Sequence, residues 1–462
     1  VTAPSALDAP YTPAGIFARQ YRAPTLGILL VITLIAFEGM SVVAVMPAVS
    51  ADLNAIDLYG WSISAFLMAG LFVNVVAGLW SDRRGHALPF LLGVLVFVAG
   101  MALAGAATSK GLFIAARAVQ GFGGGAVIVA TYVMIARVYP PVLRPRVFAL
   151  LAGAWVVPAL VGPGLAGVIS DTAGWRWVFF GIVPLVVPAV LMLLPALRAG
   201  GEQERTPAAG PRSRPLAMTL AAGATALGAG AVQYGVDNLH TRPLAGVPAL
   251  VAGLAMLAFG VPRLLPPGAV RLRRGLPTTV VMRGLLSGAF FGVNSYIPLL
   301  LHDVRGFSTG AAGIALTTGA LGWSAGSFLQ SRANVDRARL IRPGAYAVTA
   351  GILLTALAAV PGVSGWIAVP AWIVAGFGMG LGISSVNVTA MRQSPDEEQG
   401  ANSAALQVMD TLGSSLTIGL GGALINLIGH DAIGPAFVVI TLLMTALGLV
   451  AALVAGRALD PR

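Results

Sequence analysis

Glu38 and Asp410 are carboxylates, and Arg117 and Arg283 are guanidiniums, yet each lies inside an apolar run (25–49, 401–428, 111–136 and 276–301). Buried acids and bases of these types can hold and release a proton, or meet the charge of a bound molecule, because each member sets the cost of ionising the other. An ionisable group deep in a ~30 Å hydrocarbon layer is costly and marks a functional position by default. At 1.5 Å of rise per residue, Glu38 falls ~20 Å into its run, close to a bilayer midplane. A carboxyl in apolar surroundings keeps its proton to higher pH than in water, which suits exchange near neutrality. The plainer alternatives are a neutral acid that packs helices, and arginines whose long stems carry the charge back to the interface. Arg283 can also pair with an acid or meet substrate. Asn294, Tyr296, Trp323, Trp372 and Asn387 are the remaining polar and aromatic candidates for a cavity wall.

The elements that must position these groups are membrane helices. The chain is 57% hydrophobic and 10% charged, against about 25% charged in soluble domains. Fourteen apolar stretches of helix length follow one another: 25–49, 58–80, 87–107, 111–136, 147–169, 177–196, 215–236, 244–265, 276–301, 308–331, 341–361, 364–390, 401–428 and 433–456. Only Lys110, Arg176, Arg242 and Arg305 fall in turns on one side. The other basic residues outside the spans fall on the opposite side. This asymmetry supports the count and predicts cytoplasmic termini.

The chain then divides into a tail (1–24), six spans (25–196), a linker (197–214), two spans (215–265), a second linker (266–275), six spans (276–456) and a short tail (457–462). Asp237 and Gln233 fall at the end of the first of the two spans at 215–265. The Arg-, Ala- and Gly-rich composition points to a bacterial cytoplasmic membrane.

Several chemistries are excluded. The chain has no cysteine, and its histidines at 86, 240, 302 and 430 lack ligand spacing, so neither metal nor cofactor is expected, and no enzyme activity. The net charge of +11 sits in short turns, which suits anionic lipid and topology rather than nucleic acid. Gly121-x-Gly123-x-x-Ala126 matches a dinucleotide fingerprint, but no strand precedes it. No P-loop is present.

Between spans 2 and 3 the chain reads Gly78-Leu-Trp-Ser-Asp82-Arg83-Arg84-Gly85. Span 4 carries Arg117-Ala-Val-Gln120-Gly121, and span 5 Gly162-Pro163-Gly-Leu-Ala166-Gly167. Together these resemble the major facilitator superfamily and its fourteen-span drug/proton antiporters: the G-x-x-x-D-R-x-G loop, the R-x-x-Q-G element and the G-P-x-x-G-G element. The loop departs from the pattern at Trp80 and His86, and span 5 at Pro158 and Ala166. Gly326 to Arg332 echoes the loop in the second half, with Gln330 in place of the acid.

The resemblance implies an all-helical membrane protein of two six-helix bundles plus two additional helices, monomeric, with protons, membrane lipids and a small-molecule substrate as partners. It implies a latch at Gly78, Asp82, Arg83 and Gly85, and places span 7, with Gln233 and Asp237, outside the central bundle. It also implies proton coupling through Glu38 and Arg117, with Arg117 facing the central cavity, and adds Asp410 as a second acid. Export of lipophilic or cationic compounds in exchange for protons is the expected function. Export of an endogenous lipid, glycolipid or siderophore stands as the alternative, and a non-transporting sensor or scaffold as a further one.

Overall fold

A computed structural model describes residues 15–140, 142–199, 215–395 and 398–459. The linker expected at 197–214 lies outside these from residue 200 onward, as do residues 1–14 and 460–462 of the tails. Fourteen helical spans are present. They are α1 (Arg19–Asp52), α2 (Tyr59–Arg84), α3 (Ala87–Gly105), α4 (Lys110–Val138), α5 (Arg144–Ala173), and α6 in two pieces, Arg176–Phe180 and Val183–Ala199. The inserted pair is α7 (Pro215–Asp237) and α8 (Pro243–Leu264). The second half holds α9 (Leu276–Asn294), α10 (Thr309–Arg332), α11 (Arg337–Thr355), α12 (Ala368–Gln393), α13 (Gln399–Ile428) and α14 (Ile433–Val454). After Asn294, α9 is broken at Ser295 and continues through Ile297–Leu299 into one wide turn, Leu300–Val304.

Local chemistry sets many of these limits. Ser109, Ser308 and Asp336 cap helix starts, each accepting a backbone N–H. Gly85, Gly174 and Gly429 end α2, α5 and α13 at φ of +85°, +96° and +115°, a conformation that costs other residues a steric penalty. Among the described residues, 13 segments are long and apolar enough to cross a bilayer on composition alone. The remaining span is α10, whose Gly, Ser and Thr residues lower its hydropathy. Those small residues are spent on packing: α10 lies between α12 and α5.

Helices in lipid gain little from burying apolar surface against each other, so close approach through small residues holds them. α10 and α12 meet backbone to backbone. A methyl group on Gly322 would run into the Ile373 carbonyl, on Gly326 into that of Phe377, on Gly376 into that of Gly319, and on Gly380 into that of Trp323. Within the first half α1 packs on α5 and α2 on α4; within the second, α9 packs on α13 and α11 on α12. The halves meet chiefly through α5 with α10 and α2 with α13.

The two ends of the molecule differ. The arginine-poor end, with the α1–α2, α3–α4 and α9–α10 turns, is closed. Asp171 Oδ1 and Oδ2 at the end of α5 accept the N–H groups of Thr309 and Gly310 at 3.2 and 2.9 Å. The Tyr59 hydroxyl donates to Ser295 O at 3.2 Å, and Asn426 Nδ2 to Asp57 O at 2.8 Å. Toward the arginine-rich end, Asn387 and Tyr132 are exposed. Tyr132 of α4 stands within electrostatic reach of Arg283 on α9.

Gly380→Leu is expected to separate α10 from α12 and cost about 3 kcal/mol, the top of the overpacking range. Gly153→Ala, on α5 with nothing within 4 Å of the added methyl, should instead gain about 0.5–1 kcal/mol of helix propensity. Apparent Tm in detergent, followed by size-exclusion chromatography, checks both; equal values for the two variants would refute the packing assignment.

Candidate functional site

The first charged cluster is built by three helices of the first half. α1 supplies Glu38, α4 supplies Arg117 and, one turn on, Gln120, and α2 supplies the Ser62 carbonyl and the Phe66 ring. Arg117 Nη1 donates to Glu38 Oε1 in a short ion pair and to Gln120 Oε1 at 2.6 Å. Its Nε donates to Ser62 O at 3.1 Å, and the guanidinium lies 4.7 Å from the centre of the Phe66 ring. Glu38 is 1% exposed and Arg117 2%. Glu38 Oε2 and Gln120 Nε2 are buried and take no protein partner.

Glu38 and Arg117 thus meet as an ion pair, and Arg117 is enclosed within the first half, where the resemblance had it facing the central cavity. α2 covers the cluster because Gly121 lets it approach: a methyl there would strike the Phe66 carbonyl and come within 2.9 Å of Ala69 Cβ.

The second cluster lies in the other half and is partly open. Arg283 Nε donates to Asp410 Oδ1 at 2.7 Å, and Nη1 donates to Asn387 Oδ1 at 3.0 Å. Ser287, one turn along α9, donates to the same Asp410 oxygen in a short bond. The Arg283 and Asp410 side chains are 17% and 18% exposed. Arg283 thus pairs with an acid instead of reaching the interface. Farther along α9, Phe290 stacks on Trp372 at 4.6 Å and meets Trp323 edge-on at 5.7 Å. Trp372 Nε1 donates to Asn294 Oδ1 at 3.2 Å.

Not every cavity candidate lies in a cavity. Trp372 is fully buried and serves the core of the second half. Tyr296 is 1% exposed; its hydroxyl donates to Ile418 O and sits against Gly60 and Gly422, in the closed end. The bend after Asn294 turns the tyrosine away from the polar stripe of α9. Asn387 is exposed and bonded to Arg283, while Asn294 and Trp323 are half-buried.

The α5 element also belongs to the closed end. Gly167 lies against Gly310, with 2.5 Å from an added methyl to its Cα, and the Pro163 carbonyl lies against Gly313. Gly162 O accepts from Ser41 at 3.3 Å, tying α5 to α1. These glycines mark a seam between the halves. In the expected latch, Gly85 supplies the positive-φ turn, Arg83 is exposed, and Gly78 makes ordinary contact with Val129. The Asp82 side chain lies outside those described.

Two residues discounted from the resemblance tie the inserted helix α7 to both halves. Gln233 and Asp237 of α7 bond to Ser64 and Trp61 of α2 and reach α13. Their spacing of four residues on one helix face was the available signal.

Residues 28–418 match the pattern of the Major Facilitator Superfamily. The chain belongs to this superfamily. It is a multi-pass secondary transporter, not an enzyme. Multidrug resistance protein 3 of Bacillus subtilis is 24% identical over 420 residues, covering 89% of this chain and 81% of that protein. A probable multidrug-efflux transporter of Mycobacterium tuberculosis is 27% identical over 417 residues, 86% of each chain. Among solved structures, a POT family transporter in complex with a thioalcohol-conjugated peptide superposes with a TM-score of 0.69 at 13% identity, over 95% of this facilitator and 97% of that chain. An inward-facing, unoccupied bacterial homologue of the human lysosomal transporter Spinster gives 0.58 at 14% identity, over 96% and 100%. At these identities the structural likeness speaks for the fold.

Two measurements follow from this geometry. Removing one member of an enclosed ion pair leaves the other charge stranded, so Arg117→Ala should cost about 3–5 kcal/mol. Glu38→Gln keeps the shape but strands the Arg117 guanidinium, which cannot shed its charge, so it should cost a similar amount. A native apparent Tm in either variant would contradict the pairing. Outside the spans, His86 is fully buried under the α2–α3 turn. Burial holds its imidazole below the usual pKa, with the Arg137 guanidinium acting the same way and the Ala196 carbonyl opposing them. The unfolded chain therefore takes up a proton near pH ~6.5 that the folded one refuses, so stability falls as pH drops through that value. His86→Phe should flatten the Tm profile between about pH 7 and 5; an unchanged slope would show that other groups govern it.

Proposed function

We propose that this facilitator exports lipophilic or cationic compounds in exchange for protons, by exposing a central site alternately to the two faces of the membrane. The observation that carries the reading is the enclosed Glu38–Arg117 pair, with one carboxyl oxygen unpartnered. While Glu38 is ionised, the Arg117 guanidinium balances its charge. A proton reaching Glu38 removes one charge, weakens the pair and leaves Arg117 to Gln120, Ser62 and Phe66. That change is local to α1 and α4, the helices that hold the two residues, and it alters how they pack against α2 and α5. Proton arrival is thereby linked to the shape of the first half.

With the termini and most arginines taken as cytoplasmic, the closed end faces outward and the interior is reached from the cytoplasm. Substrate then enters past Tyr132, Asn387 and the Arg283–Asp410 pair. Both of the bonds that Asp410 accepts fall on Oδ1, which leaves its second oxygen for a substrate cation or a proton. The half-buried Trp323 and Phe291 offer aromatic surface to a lipophilic body. The relatives named for multidrug resistance and efflux support this class of cargo.

The test is transport by purified protein in liposomes under an imposed pH gradient, across a panel of lipophilic cations and neutral dyes. Movement should follow the gradient in the native chain and lose its gradient dependence in Glu38→Gln. Uptake that ignores the gradient in the native protein, or that is equally gradient-driven in Glu38→Gln, would refute proton antiport through this residue.

A further inference from the structure

The inserted pair α7–α8 does not stand apart from the transport core. α7 lies in the groove between α2 of the first half and α13 of the second, at the closed end. On the α2 side, Trp61 Nε1 donates to Asp237 Oδ2 at 2.7 Å and Ser64 Oγ donates to Gln233 Oε1 at 2.7 Å. Gly230 faces Met68, and Gly223 faces Phe72. On the α13 side, Asn426 Nδ2 reaches Asp237 Oδ1 at a looser 3.4 Å. The Gln233 side chain lies flat over Gly419: a methyl there would meet its Oε1 at 2.6 Å, Cδ at 2.7 Å and Cγ at 3.0 Å. Met68 and Leu71 of α2, Ala226 and Ala229 of α7 and Leu412 of α13 close the groove as one apolar cluster.

These contacts constrain the transport cycle. For the closed end to open, α2 must leave α13, because Gly60 and Gly422 now touch across that gap. A helix bound to both cannot keep both sets of contacts. The two shorter bonds, 2.7 Å each, join α7 to α2; the α13 side offers one long hydrogen bond and a flat contact over a glycine. We propose that α7 is a working part of the gate: it travels with the first half, and the seam between α7 and α13, with Gln233 and Asp237 as its positioning residues, is the one that parts and sets how much of the population is closed at this end. The proposal rests on the halves rocking apart, but on neither the cargo nor the energy source.

The absence of cysteine permits site-specific spin labels at Thr108→Cys and Pro361→Cys, exposed positions in turns of the first and second halves at this end. Their distance distribution, measured by double electron–electron resonance in nanodiscs, reads the gate without substrate or pH gradient. Gly419→Ala should wedge the seam and raise the long-distance population several-fold. Gln233→Ala combined with Gly419→Ala, which removes the atoms the methyl strikes, should return it toward native. Ser64→Ala, which deletes only a bond between α7 and α2, should leave it in place. Should Gly419→Ala fold poorly, Asp237→Ala in a Trp61→Phe background, where the bond to Asn426 is what Asp237 has left to lose, should shift the distribution in the same direction. A native distribution in the seam variants, a shift that Gln233→Ala fails to reverse, or a larger shift in Ser64→Ala would overturn the assignment. A merely structural role for α7 would lower Tm without moving the distances.

Discussion

A guanidinium and a carboxylate sealed together in a low-dielectric interior govern the first half of this molecule. Separately, each would cost several kcal/mol to bury. Together, Arg117 and Glu38 are tolerable only because Gln120, the Ser62 carbonyl and the Phe66 ring occupy the remaining donors and face of the guanidinium. That requirement reaches into the backbone. α2 must lie close enough to α4 to offer a carbonyl and a ring, and Gly121 is what permits it. Charge satisfaction and helix spacing are thus one constraint: enlarge Gly121, and the pair loses part of its shell.

The contacts between halves follow a different rule. They are carried by small residues and by hydrogen bonds to backbone groups: Gly167 on Gly310, Pro163 on Gly313, Gly60 on Gly422, Asp171 on two N–H groups, Tyr59 on a carbonyl. Close backbone contact gives shape specificity with little buried apolar area, so separation costs less than parting a core of interlocked side chains. Within the second half, the α10–α12 crossing uses the same glycine chemistry over a longer stretch. The difference between a permanent and a separable contact lies in its extent and in the aromatic packing added by Phe290, Trp323 and Trp372.

Much of this was legible in the residues. The alternation of apolar runs and the side preference of arginine located every span, including α10, whose composition is the least apolar. The rarity of charge in those runs singled out Glu38, Arg117, Arg283 and Asp410, and in space they fall into two pairs. What stayed hidden depends on rotation about the helix axis. Pro298, which cannot donate to the Asn294 carbonyl, marks a break in α9, but it does not say whether the turned Tyr296 enters the closed end or lines a cavity. Trp372 looked like a surface for substrate and is core, since an indole suits either place. Gln233 and Asp237 were discounted because the resemblance places their helix outside the central bundle, and a helix's place in a family plan does not say which side chains it bonds to its neighbours.

The two ion pairs differ in a way that bears on alternating exposure. Glu38–Arg117 is enclosed by its own half, whereas Arg283–Asp410 is partly open on the side where the halves stand apart. If both were equally open, a proton and a substrate could enter from the same face in the same state and nothing would link their movements. If both were sealed, neither could be loaded. One closed and one open pair is the arrangement in which a conformational change exchanges their access, so that what binds at one is sensed at the other through the rigid bodies between them rather than through direct contact. Under the proposed proton exchange, no charge would have to travel between the clusters. The proposal requires only that α1 and α4 shift against α2 and α5 when Glu38 changes charge, and that the glycine seam at the closed end be loose enough to answer.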